Sequence, residues 1–301
     1  MLVGELAALA TAVCFASGTT CFALASRRGD AQSVNAFRLV VALAELTLLH
    51  RVLEGHWWPA SSGQQQLYLL GSGVIGLTLG DLFLFQCLAH AGPRVGSVLM
   101  SFTPAMTALL AWPLLGERID ALGLVGMTVL TIGVIVAVAA RPDPGGPQLY
   151  DRINPKAVVY GLLGALGQAI GFIFSKQGME AHADQAAISP LSGTLLRMLA
   201  ATLGMLVVVL VLGKLKSSAR VMFDRRVLPL SVLGATTGTV LGIWLSLIAV
   251  KHTEAGIAAA LIAVTPLVVI AIGRVVHGER PGRVAIAGTL AAVAGAVLLL
   301  R

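Results

Sequence analysis

An aspartate at position 81 lies inside an apolar run, Gly80-Asp81-Leu82-Phe83, and a glutamate at position 45 lies inside another. A carboxylate in hydrocarbon is costly and is kept where it meets a partner or a wet interior. Each acid could therefore hold a proton or cation, pair with a cationic substrate group, or form half of a structural ion pair. Asn35, Arg38, Ala42 and Glu45 succeed one another at helical steps of three, four and three, on one stripe. Two turns, about 10 Å, separate Arg38 from Glu45, too far for them simply to neutralise each other. A stripe with both signs suits an amphoteric solute; an arginine that snorkels to the headgroups is the plainer alternative. Pro104 and Pro266 lie in mid-run behind Thr103 and Thr265. A proline there removes a backbone donor and frees the carbonyl four residues earlier, that of Met100 or Ile262. At membrane depth that carbonyl needs a partner or a cavity, and the threonine hydroxyls are available donors. A kink that shapes and flexes a central cavity and a static kink that fits the bundle are equally compatible with this. Trp244 is deep enough in its run to form a cavity wall, whereas His90, His252 and Lys176 fall at run ends and read as interfacial.

Groups so placed need apolar helices of membrane length to carry them. Of 301 residues, 57% are hydrophobic and 12% charged, with a mean hydropathy of +0.89; ordinary globular chains are about 25% charged. Apolar runs fall at roughly 4–26, 34–52, 67–88, 95–115, 120–140, 157–178, 190–213, 228–249, 254–276 and 282–300. Their lengths are near the ~20 residues that cross a hydrocarbon core. The fold expected is all-α and integral to the membrane, with ten transmembrane helices. The net charge of +7 is scattered over loops and run ends, which suits lipid headgroups and not nucleic acid. Cys14, Cys21 and Cys87 sit in apolar runs, so neither a disulfide framework nor a zinc site is expected. The first run, Val3 to Ala25, lacks a basic lead and cleavage site and reads as a retained span. Gly71-Ser-Gly73-Val-Ile-Gly76 fits a dinucleotide-binding pattern, but it opens a span and its acid comes too soon. No cofactor is expected.

The chain is duplicated. His90, Thr103-Pro104, Gly116-Glu117-Arg118, Gly126 and Gly133 recur as His252, Thr265-Pro266, Gly278-Glu279-Arg280, Gly288 and Gly295, all at an offset of 162. Arg38 recurs as Arg197 at an offset of 159, which places a three-residue insertion between spans two and three of the second copy. The proline- and glycine-rich stretch 141–156 links a first repeat at 4–140 to a second at 157–300. Five spans per repeat force the second copy to enter the membrane upside down, as in transporters with inverted repeats. Gly76 and Gly80 recur as Gly238 and Gly242, and Gly161, Gly164, Gly167 and Gly171 form a stripe; such spacing lets helices pack closely. Gly-Glu-Arg reads as a turn with an acid before the next helix. Asp81 and Glu45 face Ile243 and Gly204 across the repeat, so neither acid is required by a symmetric fold.

An arginine opening span two, a Thr-Pro inside span four and Gly-Glu-Arg between spans four and five resemble the EamA domain of the drug/metabolite transporter superfamily, present twice. The resemblance implies a ten-span carrier of small metabolites or drug-like solutes with both termini in the cytoplasm. Counting Lys and Arg between spans gives five on the side of the termini and fourteen opposite, which implies the reverse orientation.

The expected function is a secondary transporter in the cell membrane that works by alternating access. Its partners are a small solute and the bilayer, and it is not an enzyme; proton coupling through Asp81 is one version of this expectation. A non-transporting scaffold is the main alternative, a membrane enzyme a weaker one. Site residues expected are Asp81, Glu45, Arg38, Arg197, Thr103, Pro104, Thr265, Pro266 and Trp244.

Overall fold

The computed structural model describes residues 2–26, 31–139, 155–180, 186–218, 224–277 and 282–300, and regular structure there is helical. The first half contains α1 (Leu2–Ser26), α2 (Ala31–Glu54), α3 (Gly63–Ser72), α4 (Gly80–Met100), α5 (Thr103–Leu115) and α6 (Ala121–Ala139). The second contains α7 (Pro155–Met179), α8 (Pro190–Val211), α9 (Leu228–Gly234), α10 (Gly242–His252), α11 (Ala255–Ile262), α12 (Thr265–His277) and α13 (Arg283–Leu299). A wide π-helical turn at Gly73–Leu79 joins α3 to α4, and another at Ala235–Leu241 joins α9 to α10. The two turns sit at matching positions of the repeat. Gly80 N–H reaches Ile75 O, and Gly242 N–H reaches Thr237 O, each five residues back.

Local chemistry sets several helix ends. Ser62 accepts from Gln65 N at 3.1 Å while Gln65 Oε1 accepts from Ser62 N at 3.0 Å, a reciprocal cap that starts α3. Ser189 accepts from Ser192 N at 3.0 Å and Pro190 takes the first helical position of α8. Gly116 ends α5 with φ of 69°, a left-handed residue that glycine adopts without strain.

Among the described residues, eight stretches are long and apolar enough to cross a membrane: Leu2–Phe22, Gly63–Cys87, Val98–Leu115, Ala121–Val138, Pro155–Met179, Pro190–Val211, Leu228–His252 and Ala255–Ile272. Of the ten spans expected, α2 and α13 fall outside that set. The α2 sequence includes Arg38, Glu45, Arg51 and Glu54, and α13 is apolar but 17 residues long. Exposed side chains such as Leu109, Val207, Val211 and Leu290 form an outer apolar surface of the kind lipid covers.

The halves interlock. The first helix of each half packs against the π-turn segment of the other. Gly18 lies on Gly238, and Gly171 on Gly76, so close that a Cβ on Gly18 would come 2.6 Å from Gly238 Cα. Helices α6 and α13 run antiparallel with reciprocal contacts: a Cβ on Gly133 would meet Ala292 N at 2.3 Å, and one on Gly295 would meet Leu130 N at 2.3 Å. Helices α2 and α8 pack on each other, and one buried cluster draws Leu39, Leu46, Leu77, Leu196 and Leu247 from both halves. One end of the bundle, the terminal face, gathers the start of α1 with the end of α10, where Gly4 abuts Thr253. The end of α2 meets the start of α8 there too.

Three expectations change. Helix α4 continues from Gly80 to Met100 across the connection expected at 89–94, and Cys87 Sγ and Leu99 Cδ1 both lie beside Gly161. The Thr-Pro pairs do not kink continuous helices. Turns at Ser101-Phe102 and Ala263-Val264 break them, and Pro104 and Pro266 lie in the first turns of α5 and α12, where a missing N–H leaves no bond unmade. The carbonyl of Ile262 receives the Thr265 hydroxyl at 2.6 Å, while the buried Thr103 hydroxyl has no hydrogen-bond partner among the described residues. Finally, α7 starts at Pro155, so the last two residues of the expected linker are helical; residues 140–154 and Gly278-Glu279-Arg280 lie outside the described residues.

Candidate functional site

Helix α2 directs Arg38 inward from its second turn, and Asp81 opens α4 immediately after the first π-turn. A π-turn inserts a residue relative to the α-helical phase and so re-aims the side chains beyond it. Arg38 Nη2 meets Asp81 Oδ2 at 2.6 Å, with side chains 20% and 10% exposed. The guanidinium also stands 5.1 Å from the ring centre of Phe22, within cation–π reach. Arg38 therefore pairs with Asp81 within the bundle. Gln168 on α7 donates to Gly76 O at 3.1 Å, a carbonyl within the π-turn, and lies 3.4 Å from Asp81 Oδ1.

The repeat mate of Arg38 behaves differently. Arg197 on α8 is 1% exposed, and its Nε and Nη1 have no hydrogen-bond partner among the described residues. Its Nη2 lies where Cβ atoms on Gly76 and Gly171 would crowd it, at 3.3 and 3.4 Å, so the glycines admit the guanidinium between α7 and the first π-turn. Glu45 takes a hydroxyl bond from Thr236 of the second π-turn at 2.8 Å, and its Oε2 is buried with no partner among the described residues. Glu45 thus bonds the second π-turn, while Asp81 follows directly on the first. Two guanidiniums and two carboxylates, several of their atoms unsatisfied, form a polar layer where α2, α8 and the π-turns meet.

The other expected residues lie apart. Thr103 and Pro104 are carried by α5, which packs on α7 and α11, and Thr265 and Pro266 by α12, which packs on α1 and α6. Among the described residues no hydrogen bond joins them to the arginine–acid layer. Trp244 is half-buried against the cluster built around α2 and α8. Sequence reasoning missed Gln168, whose amide within the glycine-rich run Gly164–Gly171 was a legible signal. It also missed Glu5, fully buried with both carboxylate oxygens unpartnered among the described residues, and the π-turns. Gly73, part of the dinucleotide-like pattern, lies against the Arg197 backbone, so that pattern packs helices.

A second charged cluster occupies the terminal face. Glu117, just beyond α5, meets Lys176 Nζ at 2.5 Å and accepts from Ala255 N at 2.7 Å, capping α11. Lys176 also donates to Thr253 O at 2.6 Å. Glu254 shares this cluster from the turn between α10 and α11; burial first, then the Glu117 carboxylate, hold its carboxyl above the usual range, with Lys176 opposing. Lys176, placed by sequence at the interface, thus joins a first-half turn to two second-half segments. Clefts of about 220 and 230 Å³ open here, lined by residues that include Arg118, Asp120, Lys251 and Glu254.

The family model described as EamA-like transporter family matches residues 2–139 and again 155–301. No curated protein matches. A solved structure described only as "Crystal structure of protein" is similar with a TM-score of 0.75 at 15% identity, covering 98% of this chain and 95% of that one. At that identity the likeness shows a shared fold.

Proposed function

The chain belongs to the EamA-like transporter family, a multi-pass membrane family, and from that membership we propose that it is a secondary transporter that moves a small solute by alternating access. In this reading α2 and α13 complete ten spans, the repeats 4–140 and 157–300 are inverted relative to each other, and the protein resides in the cell membrane. The antiparallel, residue-for-residue reciprocity of Gly133 with Ala292 and Gly295 with Leu130 supports a two-fold axis lying between α6 and α13. The observation that carries the functional reading is Arg197, a buried arginine with unpartnered donors near Asp81, whose carboxylate Arg38 already holds. A lone buried guanidinium is expensive and is expected to meet an anionic group of the solute. Asp81 and Glu45 supply the complementary sign for an ammonium group or a proton, so an amphoteric or anionic metabolite fits the layer best.

Purified protein in liposomes, screened against radiolabelled amino acids, sugars and amines, tests this. A saturable flux lost in Asp81→Asn and Arg197→Ala supports the reading. Flux and pH dependence unchanged in Asp81→Asn would remove that acid from the mechanism, and no flux across the panel favours a scaffold.

A further inference from the structure

A separate polar cluster closes α2 onto α8 at the terminal face, about three turns from Arg38 along α2. His50 is fully buried. Its Nδ1 lies 2.8 Å from His56 O, its Nε2 lies 3.0 Å from Ser192 Oγ, and the same Nε2 lies 3.0 Å from Glu54 Oε2. Ser192 Oγ is in turn 2.6 Å from Glu54 Oε2, and the Ser189 hydroxyl donates to Glu54 Oε1.

Counting protons decides the state of this cluster. A carbonyl only accepts, so Nδ1 carries a hydrogen and donates it to His56. In a neutral ring Nε2 is then a bare lone pair. The single hydroxyl hydrogen of Ser192 can serve Nε2 or Glu54, not both. With Glu54 ionised, the Nε2–Glu54 contact at 3.0 Å has no hydrogen in it, and one of the two serine contacts has none either. One added proton on Nε2 serves the set: its N–H is shared between Glu54 Oε2 and Ser192 Oγ while Ser192 donates to Glu54; placed on the Glu54 carboxylate instead, it bridges Oε2 and Nε2 and leaves only the Nε2–Ser192 contact without a hydrogen.

We propose that His50, Glu54, Ser189 and Ser192 form a proton-binding site that fastens the terminal-face ends of α2 and α8 together. The ligand is a single proton, bound in this packed arrangement and released when the two helix ends part. Glu54 keeps a 26% exposed side chain, which gives the proton a route to water on the terminal face, while His50 is sealed. The nearby charges leave the cluster to itself. On α2, Arg51 donates to Gly55 O and lies over the Trp57 ring. From α10, Lys251 donates to Ile188 O at 2.7 Å, and from the loop His56 offers its backbone carbonyl. From α3 the facing group is the neutral Gln65, which bonds the carbonyls of Glu180 and Ala186. The repeat mate of His50 is Val209, so the device belongs to one face only. It differs from the arginine–acid layer, and proton retention does not depend on the transport reading.

The test needs no substrate. Histidine-labelled protein in nanodiscs is read by nitrogen NMR for His50 and by difference infrared for the Glu54 carboxyl, with His50→Gln and Glu54→Gln as assigning variants. In the packed arrangement one proton is expected on the pair beyond the hydrogen on His50 Nδ1. A neutral His50 facing an ionised Glu54 in the packed arrangement overturns the proposal. Spin labels at Val52→Cys and Ala187→Cys, both exposed positions flanking the cluster, with the native cysteines replaced, report the helix-end distance. The short-distance population is expected to fall as the proton is lost and to be pH-independent in Glu54→Gln. A proton that leaves without any change in distance overturns the fastening role. If His50→Gln fails to fold, Glu54→Gln, altered on its exposed edge, carries both readouts.

Discussion

Asp81 illustrates how little the chemistry of one residue says before its partners are known. Alone in an apolar run it reads as a proton or cation site, a substrate contact or half of a structural ion pair; in the fold it meets Arg38 at 2.6 Å and approaches the amide of Gln168. Breaking a buried pair from one side leaves an uncompensated charge, at a cost of about 3 kcal/mol, whereas replacing both partners by apolar groups is often neutral. Asp81→Leu is therefore expected to lower the melting temperature in detergent, and Arg38→Leu/Asp81→Leu to recover it while solute flux remains lost. Equal stability of the single and double variants would show that the pair contributes nothing to folding. Glu254 makes a pH prediction. An acid whose carboxyl is raised in the folded protein binds its proton more tightly there than in the unfolded chain. The packed terminal face is thus favoured below the ordinary glutamate range and weakens as pH rises through the window just above it. Glu254→Gln should flatten that part of the stability–pH curve, which a thermal series across acid pH measures.

At the scale of elements, two features matter that periodicity alone does not reveal. The π-turns at Gly73–Leu79 and Ala235–Leu241 place glycines against the opposite half and re-aim Asp81. The Thr-Pro pairs start half-helices at depth, whose first N–H groups lack intrahelical partners and carry partial positive charge. Glycine contacts give a quantitative expectation. A Cβ on Gly133 would sit 2.3 Å from a backbone nitrogen that cannot rotate away. Gly133→Ala, and its mate Gly295→Ala, should each cost about 1–3 kcal/mol. Gly63→Ala is the control: nothing lies within 4 Å of its Cβ position, and alanine suits a helix start, so stability should hold or rise slightly. Thermal unfolding of the three purified variants separates these outcomes.

For the molecule as a whole, the repeats are not two bodies side by side. Helix α1 packs on the second π-turn, α7 on the first, and α6 on α13, so each half completes its core with the other. Each half expressed alone is expected to be degraded or aggregated, while halves divided within residues 141–154 and co-expressed should co-purify as a stable pair. A half that is stable and monodisperse by itself in detergent would contradict the shared core.

Much of this was legible in sequence. Apolar runs of membrane length and motifs that recur at an offset of 162 lead to a duplicated helical membrane protein, because hydrocarbon thickness and backbone hydrogen bonding leave few other solutions. The stripe holding Arg38 and Glu45 and the isolation of Asp81 were legible for the same reason: a charge in an apolar run stands out. Which charges meet was not. Arg38 with Asp81, Glu45 with Thr236, Lys176 with Glu117 and His50 with Ser192 join residues from 43 to 191 positions apart. Pairing at that separation depends on which helices cross and at what rotation, and a π-turn changes that rotation without leaving a periodic trace. The sequence therefore determined the solvent of this protein and the duplication of its fold; only the packing of one half into the other decided which polar groups share a site.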